Sequence, residues 1–318
     1  MNEHKKIFSK IGLNYLLLAL IPIVFQIIIV NIIALTGNTN IIHNINYQTI
    51  ITSATNYILI LPIFIYLMRK IESTHIDKEN INIKTLLKYI CIALTLMWIG
   101  NIIGQIITSL IGMSMAQEVV DPIESLINNS SIYINIIVIS IMAPIFEELF
   151  FRKLLIDRTI KYGAKLSIIL SALLFGLFHG NLSQFFYAFI LGLFLAYVYI
   201  KTGKIIYTMI LHAFVNFFGS VASLFLNSSV QNIQQISMAN IGDITIILVY
   251  ASILLIAWIV GLYSIFKKYK KLELNDSYRE VYLEKPVTTV ILNVGMILFI
   301  IWHAYTILVS LNIVPHLI

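Results

Sequence analysis

The chain has 318 residues, of which 59% are hydrophobic and only 11% are charged. A soluble domain of this length has too little interior to bury so much apolar surface, so the composition excludes a soluble globular protein and indicates a polytopic membrane protein. The formal net charge is +6, but the basic residues are spread as loop charges without an aromatic-interleaved basic patch. We therefore expect no nucleic-acid partner.

Nine apolar windows approach or exceed the roughly 20 residues that a helix needs to cross a bilayer. In chain order they cover residues 11–35, 49–68, 86–113, 131–151, 166–179, 184–200, 205–226, 244–266 and 288–311. The sequence therefore predicts an all-α, polytopic transmembrane helical bundle of about nine helices. Asn101 and Gln105, four residues apart in the third window, are expected to hold two helices together.

The 21 Lys and Arg residues lie on alternate connections between these windows. They are Lys5, Lys6 and Lys10; Arg69, Lys70, Lys78, Lys84 and Lys88; Arg152, Lys153, Arg158, Lys161 and Lys165; Lys201 and Lys204; and Lys267, Lys268, Lys270, Lys271, Arg279 and Lys285. The intervening connections contain none. By the positive-inside rule the N-terminus is cytoplasmic and the C-terminus lies outside.

The fourth window carries two acidic residues side by side, Glu147 and Glu148, with Arg152 just beyond. Ionisable groups at membrane depth are expensive, which makes them candidates for a functional site. Glu148 and Arg152 are four residues apart and are expected to pair on one helix face, where Arg152 gives structural support. Glu147 points roughly 100° away and has no charged neighbour on its own helix. Pro144 lacks an N–H and is expected to unsettle the turn before the glutamates.

Two later helices carry further polar pairs at a spacing of four residues. Phe175 and His179 end the fifth window, and His212 and Asn216 lie in the seventh. Counting helix rise from the nearest basic connection places Glu147 and His179 at about 21 Å and His212 at about 12 Å. We expect these groups to converge inside the bundle, with His212 nearer the cytoplasmic side. Taken singly, each has a structural interpretation, such as an ion pair or a hydrogen bond that joins two helices.

In order and in spacing, these motifs resemble the signature of a family of intramembrane proteases, the CAAX-prenyl-protease and bacteriocin-processing family. They are Glu147-Glu148-x-x-x-Arg152, Phe175-x-x-x-His179 and His212-x-x-x-Asn216. The resemblance covers about residues 132–225. It implies an intramembrane protease core at 131–226, between N-terminal transmembrane helices at 1–130 and C-terminal ones at 227–318. It also implies a membrane-associated peptide or protein as substrate, either a CAAX-type tail or a peptide precursor. We expect the chain to lie in the lipid bilayer of a bacterial cytoplasmic membrane.

Hydrolysis of a peptide bond needs an activated water and hydrogen-bond donors for the oxyanion. Glu147 and His179 are expected to hold and deprotonate the water, while His212 and Asn216 donate to the oxyanion. Glu148 orients the helix and assists catalysis. The alternative is a zinc enzyme in which Glu147, His179 and His212 bind the metal and leave a fourth position for water. We favour the metal-free mechanism because Asn216 is a poor zinc ligand and a good oxyanion donor.

Two other functions fit the same residues. In a proton- or ion-coupled transporter, Glu147, Glu148, His179 and His212 would form a relay across the membrane. In a non-catalytic immunity or scaffold protein, they would bind a peptide without cleaving it. The sequence leaves the substrate and the oligomeric state open. His303 in the last window has no other ionisable group near it in the sequence and is expected to be structural.

Overall fold

The computed structural model describes residues 3–115, 122–233, 240–268, 274 and 276–315, and these residues contain helices and no strand. In chain order the helices are α1 (Glu3–Leu35), α2 (Thr39–His43), α3 (Ile45–Arg69), α4 (Ile83–Met115), α5 (Pro122–Asn129), α6 (Ile132–Tyr162), α7 (Ala164–Phe178), α8 (Leu182–Thr202), α9 (Ile205–Asn232), α10 (Ile241–Lys268), α11 (Pro286–Val290) and α12 (Val294–Ser310). The predicted all-α membrane bundle is confirmed. Parts of the predicted connections at 114–130, 227–243 and 267–285 lie outside the described residues.

Seven of these helices are long and apolar enough to cross a membrane: α1, α3, α4, α6, α8, α9 and α10. The remaining predicted windows correspond to α7 and α12, which have 15 and 17 residues. The count of nine crossings therefore stays a prediction, as does the cytoplasmic position of the N-terminus.

One predicted boundary is wrong. The fourth window was expected to end at residue 151, but α6 continues to Tyr162. Arg152 and Arg158, which the sequence assigned to a basic connection, therefore lie within the helix and are buried. The guanidinium of Arg158 donates to the Met68 carbonyl at 2.6 Å and to the Leu154 carbonyl at 3.0 Å. Arg152 is paired with the Glu148 carboxylate, so both arginines have partners inside the protein and the helix can continue past them into the buried interior.

The basic connections meet at one end of the bundle. Lys161 pairs with Glu72 at 2.6 Å, and the Lys161 carbonyl accepts from Val281 N–H at 2.9 Å. Glu79 N–H donates to the Thr202 carbonyl at 2.8 Å. The ends of α6 and α8 and the segments that follow α3 and α10 thus contact one another, which agrees with the basic connections lying on one side of the bundle.

Helix α4 packs on α8, α9 and α10. At the α4–α8 crossing, Gly100 and Gly104 bring the two backbones together: a Cβ at Gly104 would overlap the Ser183 carbonyl oxygen, and one at Gly100 would overlap Tyr187. Small residues four apart allow membrane helices to approach in this way. Gln105, expected to contribute to such a contact, is exposed instead.

The close approach at Gly104 predicts a stability effect. A Gly104→Ala substitution forces α4 and α8 apart, and we expect it to lower the free energy of unfolding by about 1–3 kcal/mol. Gly242→Ala in α10 is the matched control, because a Cβ there meets nothing within 4 Å. Unfolding of the purified variants in mixed micelles by titration with SDS measures the difference. Equal midpoints for the two variants would contradict the close packing at Gly104.

Candidate active site

The two glutamates lie in a short α-helical part of α6 between two π-helical segments. The α-helical part is Ala143–Glu148, and the π-helical segments are Asn135–Met142 and Leu149–Leu154. Segments of this kind inside α-helices occur frequently at functional sites. Their irregular backbone leaves carbonyl groups that other helices must satisfy in a membrane interior.

Pro144 explains one of these free carbonyls. At the end of the first π-helical segment, Ala143 N–H donates to the Val138 carbonyl, five residues earlier. The same pattern would pair the Ile139 carbonyl with residue 144, but proline has no N–H to donate. The Asn216 side chain takes its place: Nδ2 of Asn216 donates to the Ile139 oxygen at 2.9 Å. Helix α9 is thereby attached to α6 about two turns before the glutamates.

This contact uses one of the two amide hydrogens of Asn216. Asn216, the predicted oxyanion donor, therefore also positions α9 against α6, and its second Nδ2 hydrogen can be donated to another acceptor. One turn further along α9, the Ser220 hydroxyl lies 3.1 Å from that of Ser140 in the same π-helical segment. Both contacts fix the register of α9 against α6, and therefore the position of His212.

A pair of substitutions tests the origin of this contact. Asn216→Ala leaves the Ile139 carbonyl unpaired, and we expect the free energy of unfolding to fall by about 1–3 kcal/mol. In a Pro144→Ala background residue 144 regains an N–H, which can satisfy Ile139, so the same Asn216→Ala change is expected to have a smaller effect. SDS titration of the four proteins gives the coupling between the two sites. Additive effects would show that Asn216 does not replace the donor that proline lacks.

Glu148 and Arg152 form the predicted ion pair, and both are fully buried. Arg152 Nε lies 3.1 Å from Glu148 Oε2, and each side chain has 0% exposure. The other carboxylate oxygen of Glu148 lies 2.9 Å from His212 Nδ1. Because a carboxylate only accepts hydrogen bonds, the imidazole donates from Nδ1. Glu148 therefore fixes both the orientation and the tautomer of His212.

His212 also faces the second glutamate. Its Nε2 lies 3.6 Å from Glu147 Oε2, so the imidazole is placed between the two carboxylates. The Glu147 side chain is 26% exposed, whereas that of His212 is 4% exposed. Glu147 is thus the acidic group that a water molecule or a substrate can reach, as its lack of a charged neighbour on its own helix suggested.

Arg152 connects this cluster to α7. Its Nη1 donates to the Ser171 hydroxyl at 3.2 Å, and Ser171 donates onward to the Phe151 carbonyl at 2.7 Å. The guanidinium lies over the Phe175 ring, 4.5 Å from its centroid. Planar guanidinium groups suit this combination of a carboxylate, a hydroxyl and an aromatic face. The first two motifs are therefore joined through Arg152 and Phe175.

His179 lies on the other side of Phe175. The Phe175 ring makes edge contacts with both imidazoles, at 4.8 Å to His179 and 5.6 Å to His212. His179 Nδ1 lies 2.8 Å from the Phe175 carbonyl, to which it donates, so the neutral ring presents Nε2 as an acceptor. No ion pair within 4.0 Å joins His179 to Glu147 among the described side chains. The structure brings His212, rather than His179, into contact with the glutamates.

The side chains proposed as zinc ligands do not form a ready three-residue site. A zinc ion needs its ligand atoms at about 2.0–2.2 Å, which requires the donors to converge on one point. No three His, Cys, Asp or Glu side chains are arranged to hold one ion in the part of the chain that the structure describes. Glu147 Oε2 and His212 Nε2 face each other at 3.6 Å, and the hydrogen bond from Nδ1 to Glu148 leaves Nε2 open to either a metal or an oxyanion, so these two residues alone do not decide the question. In this arrangement the residues do not fit a three-ligand zinc centre.

Sequence reasoning missed two residues near the site. Ser171 lies four residues before Phe175 on the same face of α7, so the four-residue spacing that identified the other pairs could also have identified Ser171. Tyr57 stacks on Phe146 with ring centroids 4.0 Å apart, and nothing in the sequence marked it.

His303 is buried against Phe299 with centroids 4.3 Å apart, and neither ring nitrogen has a hydrogen-bond partner among the described residues.

A family model described as Type II CAAX prenyl endopeptidase Rce1-like matches residues 129–218. This segment contains all three motifs, and the resemblance that the motifs indicate is confirmed over it. No curated protein and no solved structure matches the chain. The match and the multi-pass helical bundle together support a CAAX-type intramembrane protease.

Proposed function

We propose that this chain, whose helices α6 to α9 contain the CAAX prenyl endopeptidase match, is an intramembrane endopeptidase that cleaves a membrane-associated protein or peptide. The observation that carries the proposal is the position of His212 between a neutralised glutamate and an accessible one. Glu148 is paired with Arg152 and hydrogen-bonded to His212, while Glu147 remains partly exposed. Glu148 therefore supports the site, and Glu147 is available to take part in the reaction.

Glu147 acts as the general base. It takes a proton from water as the water oxygen attacks the carbonyl carbon, and it returns that proton to the leaving amide nitrogen when the C–N bond breaks. Nε2 of His179 accepts a hydrogen bond from the other O–H of the water and helps to hold it, since Nδ1 is already used on the Phe175 carbonyl. The water thus contributes its oxygen to the new carboxylate, and no covalent enzyme intermediate is needed.

His212 stabilises the oxyanion. In its protonated form it donates from both nitrogens, so Nδ1 stays on Glu148 while Nε2 is available to the developing negative charge. The cluster then contains two carboxylates, Glu147 and Glu148, and two cations, Arg152 and the protonated His212. Its net charge is therefore near zero. The remaining amide hydrogen of Asn216 supplies a second donor. Each donor is expected to contribute about 10²–10³ to the rate.

The substrate is membrane-associated in this proposal, because Glu147 and His212 lie on α6 and α9, which are long and apolar enough to cross a bilayer. A CAAX-type tail with a prenyl anchor and a hydrophobic peptide precursor both meet this requirement. We place the chain in the cytoplasmic membrane of a bacterium, with a peptide or a membrane protein as substrate.

The experiment uses the full chain purified into lipid nanodiscs and two peptides of one sequence, with and without a farnesylated CAAX cysteine. Mass spectrometry of the products is expected to show cleavage of the farnesylated peptide, both before and after treatment with a zinc chelator. Bound zinc at one equivalent, with activity lost on chelation and restored by zinc, would favour the metal mechanism through Glu147, His179 and His212. Proton uptake into proteoliposomes without cleavage of either peptide would favour a transporter.

A further inference from the structure

A second candidate binding site lies at the basic end of the bundle, away from the glutamates. It is a cleft of about 350 Å³ between α7 and the chain from Asp276 to Ile291. Its lining includes Lys165, Asp276 and Arg279 at one end and Ile169, Leu173 and Val290 along its length. This volume falls within the range of small-molecule sites in proteins. None of these residues belongs to the proposed protease mechanism.

The cleft changes from charged to apolar along the helix axis. Lys165, Ile169 and Leu173 are spaced by four residues and form one row on α7, about 12 Å from end to end. Lys165 is exposed and Ile169 is 44% exposed, so this row opens to the outside of the bundle. On a membrane protein that surface faces lipid. A molecule that fills the cleft must therefore have a polar end and a hydrocarbon part, as a phospholipid has.

The charges at the polar end favour an anionic headgroup. Asp276 is already engaged, since one oxygen accepts from Ala164 N–H at 2.7 Å and the other lies 3.4 Å from Arg279 Nη1. Arg279 Nε is buried and has no hydrogen-bond partner among the described residues. Lys165 forms no ion pair with any residue that the structure describes. Two cations thus face one acid, and a buried N–H donor requires an acceptor.

We propose that this cleft binds one anionic phospholipid. Its phosphate lies between Lys165 and Arg279, and one acyl chain lies against Ile169, Leu173 and Val290. Basic pockets between membrane helices on the cytoplasmic side bind anionic lipids in this way. The bound lipid joins the start of α7 to the segment before α12 and so stabilises the helix that carries Phe175.

The test measures which lipids remain with the purified protein. The full chain is taken from nanodiscs of equal phosphatidylglycerol and phosphatidylcholine into mild detergent, and native mass spectrometry gives the ratio of the two bound lipids. We expect a ratio of about 10 or more for the unchanged protein, and near one for the Lys165→Gln/Arg279→Gln variant. Lys78→Gln/Lys84→Gln is the matched control and is expected to keep the preference, because it removes two exposed lysines elsewhere.

Two further variants make the test decisive. Lys165→Gln alone breaks no described ion pair, so its folding is not at risk, and it is expected to lose a large part of the preference. Leu173→Trp fills the apolar end and is expected to reduce the binding of both lipids. If Leu173→Trp leaves lipid binding unchanged while the charge variants weaken it, only a headgroup or free phosphate is bound and the acyl-chain site is refuted. Equal retention of the two lipids by the unchanged protein also refutes the proposal, whatever the variants do.

Discussion

A Glu147→Gln protein is expected to fold normally and to cleave its substrate about 10²–10⁴ times more slowly than the unchanged chain. The amide keeps the size of the carboxylate but cannot take a proton from water. Folding is expected to be unaffected because the Glu147 side chain is 26% exposed and lies 3.6 Å from His212, which is longer than a hydrogen bond. Product formation from the farnesylated peptide, followed by mass spectrometry, measures the rate, and SDS titration measures the stability.

Glu148→Gln separates the two acidic residues. It is also expected to lose activity, because the single amide oxygen of glutamine cannot accept from both His212 and Arg152, and it must lower stability as well, since the charge of Arg152 is left unpaired in the interior. Glu79→Gln, in an exposed connection, is the control for the removal of a carboxylate. If Glu147→Gln cleaves at the rate of the unchanged protein, the general base lies elsewhere and the proposed mechanism is wrong.

Local spacing along one helix could be predicted from the sequence. The pair of Glu148 and Arg152 follows from a separation of four residues, and the structure places the two side chains 3.1 Å apart. The depth of His212 was harder to predict. Counting helix rise from the basic connections placed it nearer the cytoplasmic side than Glu147, yet the structure puts the two side chains in contact. The count assumes straight α-helices that begin at one level, and α6 contains two π-helical segments.

Contacts between helices depend on features that a single sequence does not display. The spacing of His212 and Asn216 places them on one face, but the partner of Asn216 is a carbonyl that becomes free only because a π-helical turn aligns it with Pro144. The sequence likewise predicts that the polar residues of α4 join this helix to another one. Instead, α4 and α8 cross at Gly100 and Gly104, because glycine has no side chain and lets the two backbones approach closely.

Removal of Arg152 is expected to have the largest effect on stability. Arg152→Met leaves Glu148 buried without its ion-pair partner of fixed charge, and we expect the free energy of unfolding to fall by about 3–5 kcal/mol. Arg152→Lys is expected to retain part of this stability, because an ammonium group cannot contact Glu148, Ser171 and the Phe175 ring together. Unfolding by SDS titration in mixed micelles measures both variants.

The neighbouring residue provides the control. Lys153 is on the same helix and pairs with Asp157 at 2.7 Å, but its side chain is 40% exposed, so Lys153→Met is expected to change stability by less than about 0.5 kcal/mol. Combining Glu148→Gln with Arg152→Met removes both charges, and the loss should then be smaller than the sum of the two single losses. Strict additivity would show that Glu148 and Arg152 do not stabilise each other, and equal midpoints for Arg152→Met and Lys153→Met would show that Arg152 does not hold α6 and α7 together. In that case the position of Phe175 between the two histidines would have to come from apolar packing alone.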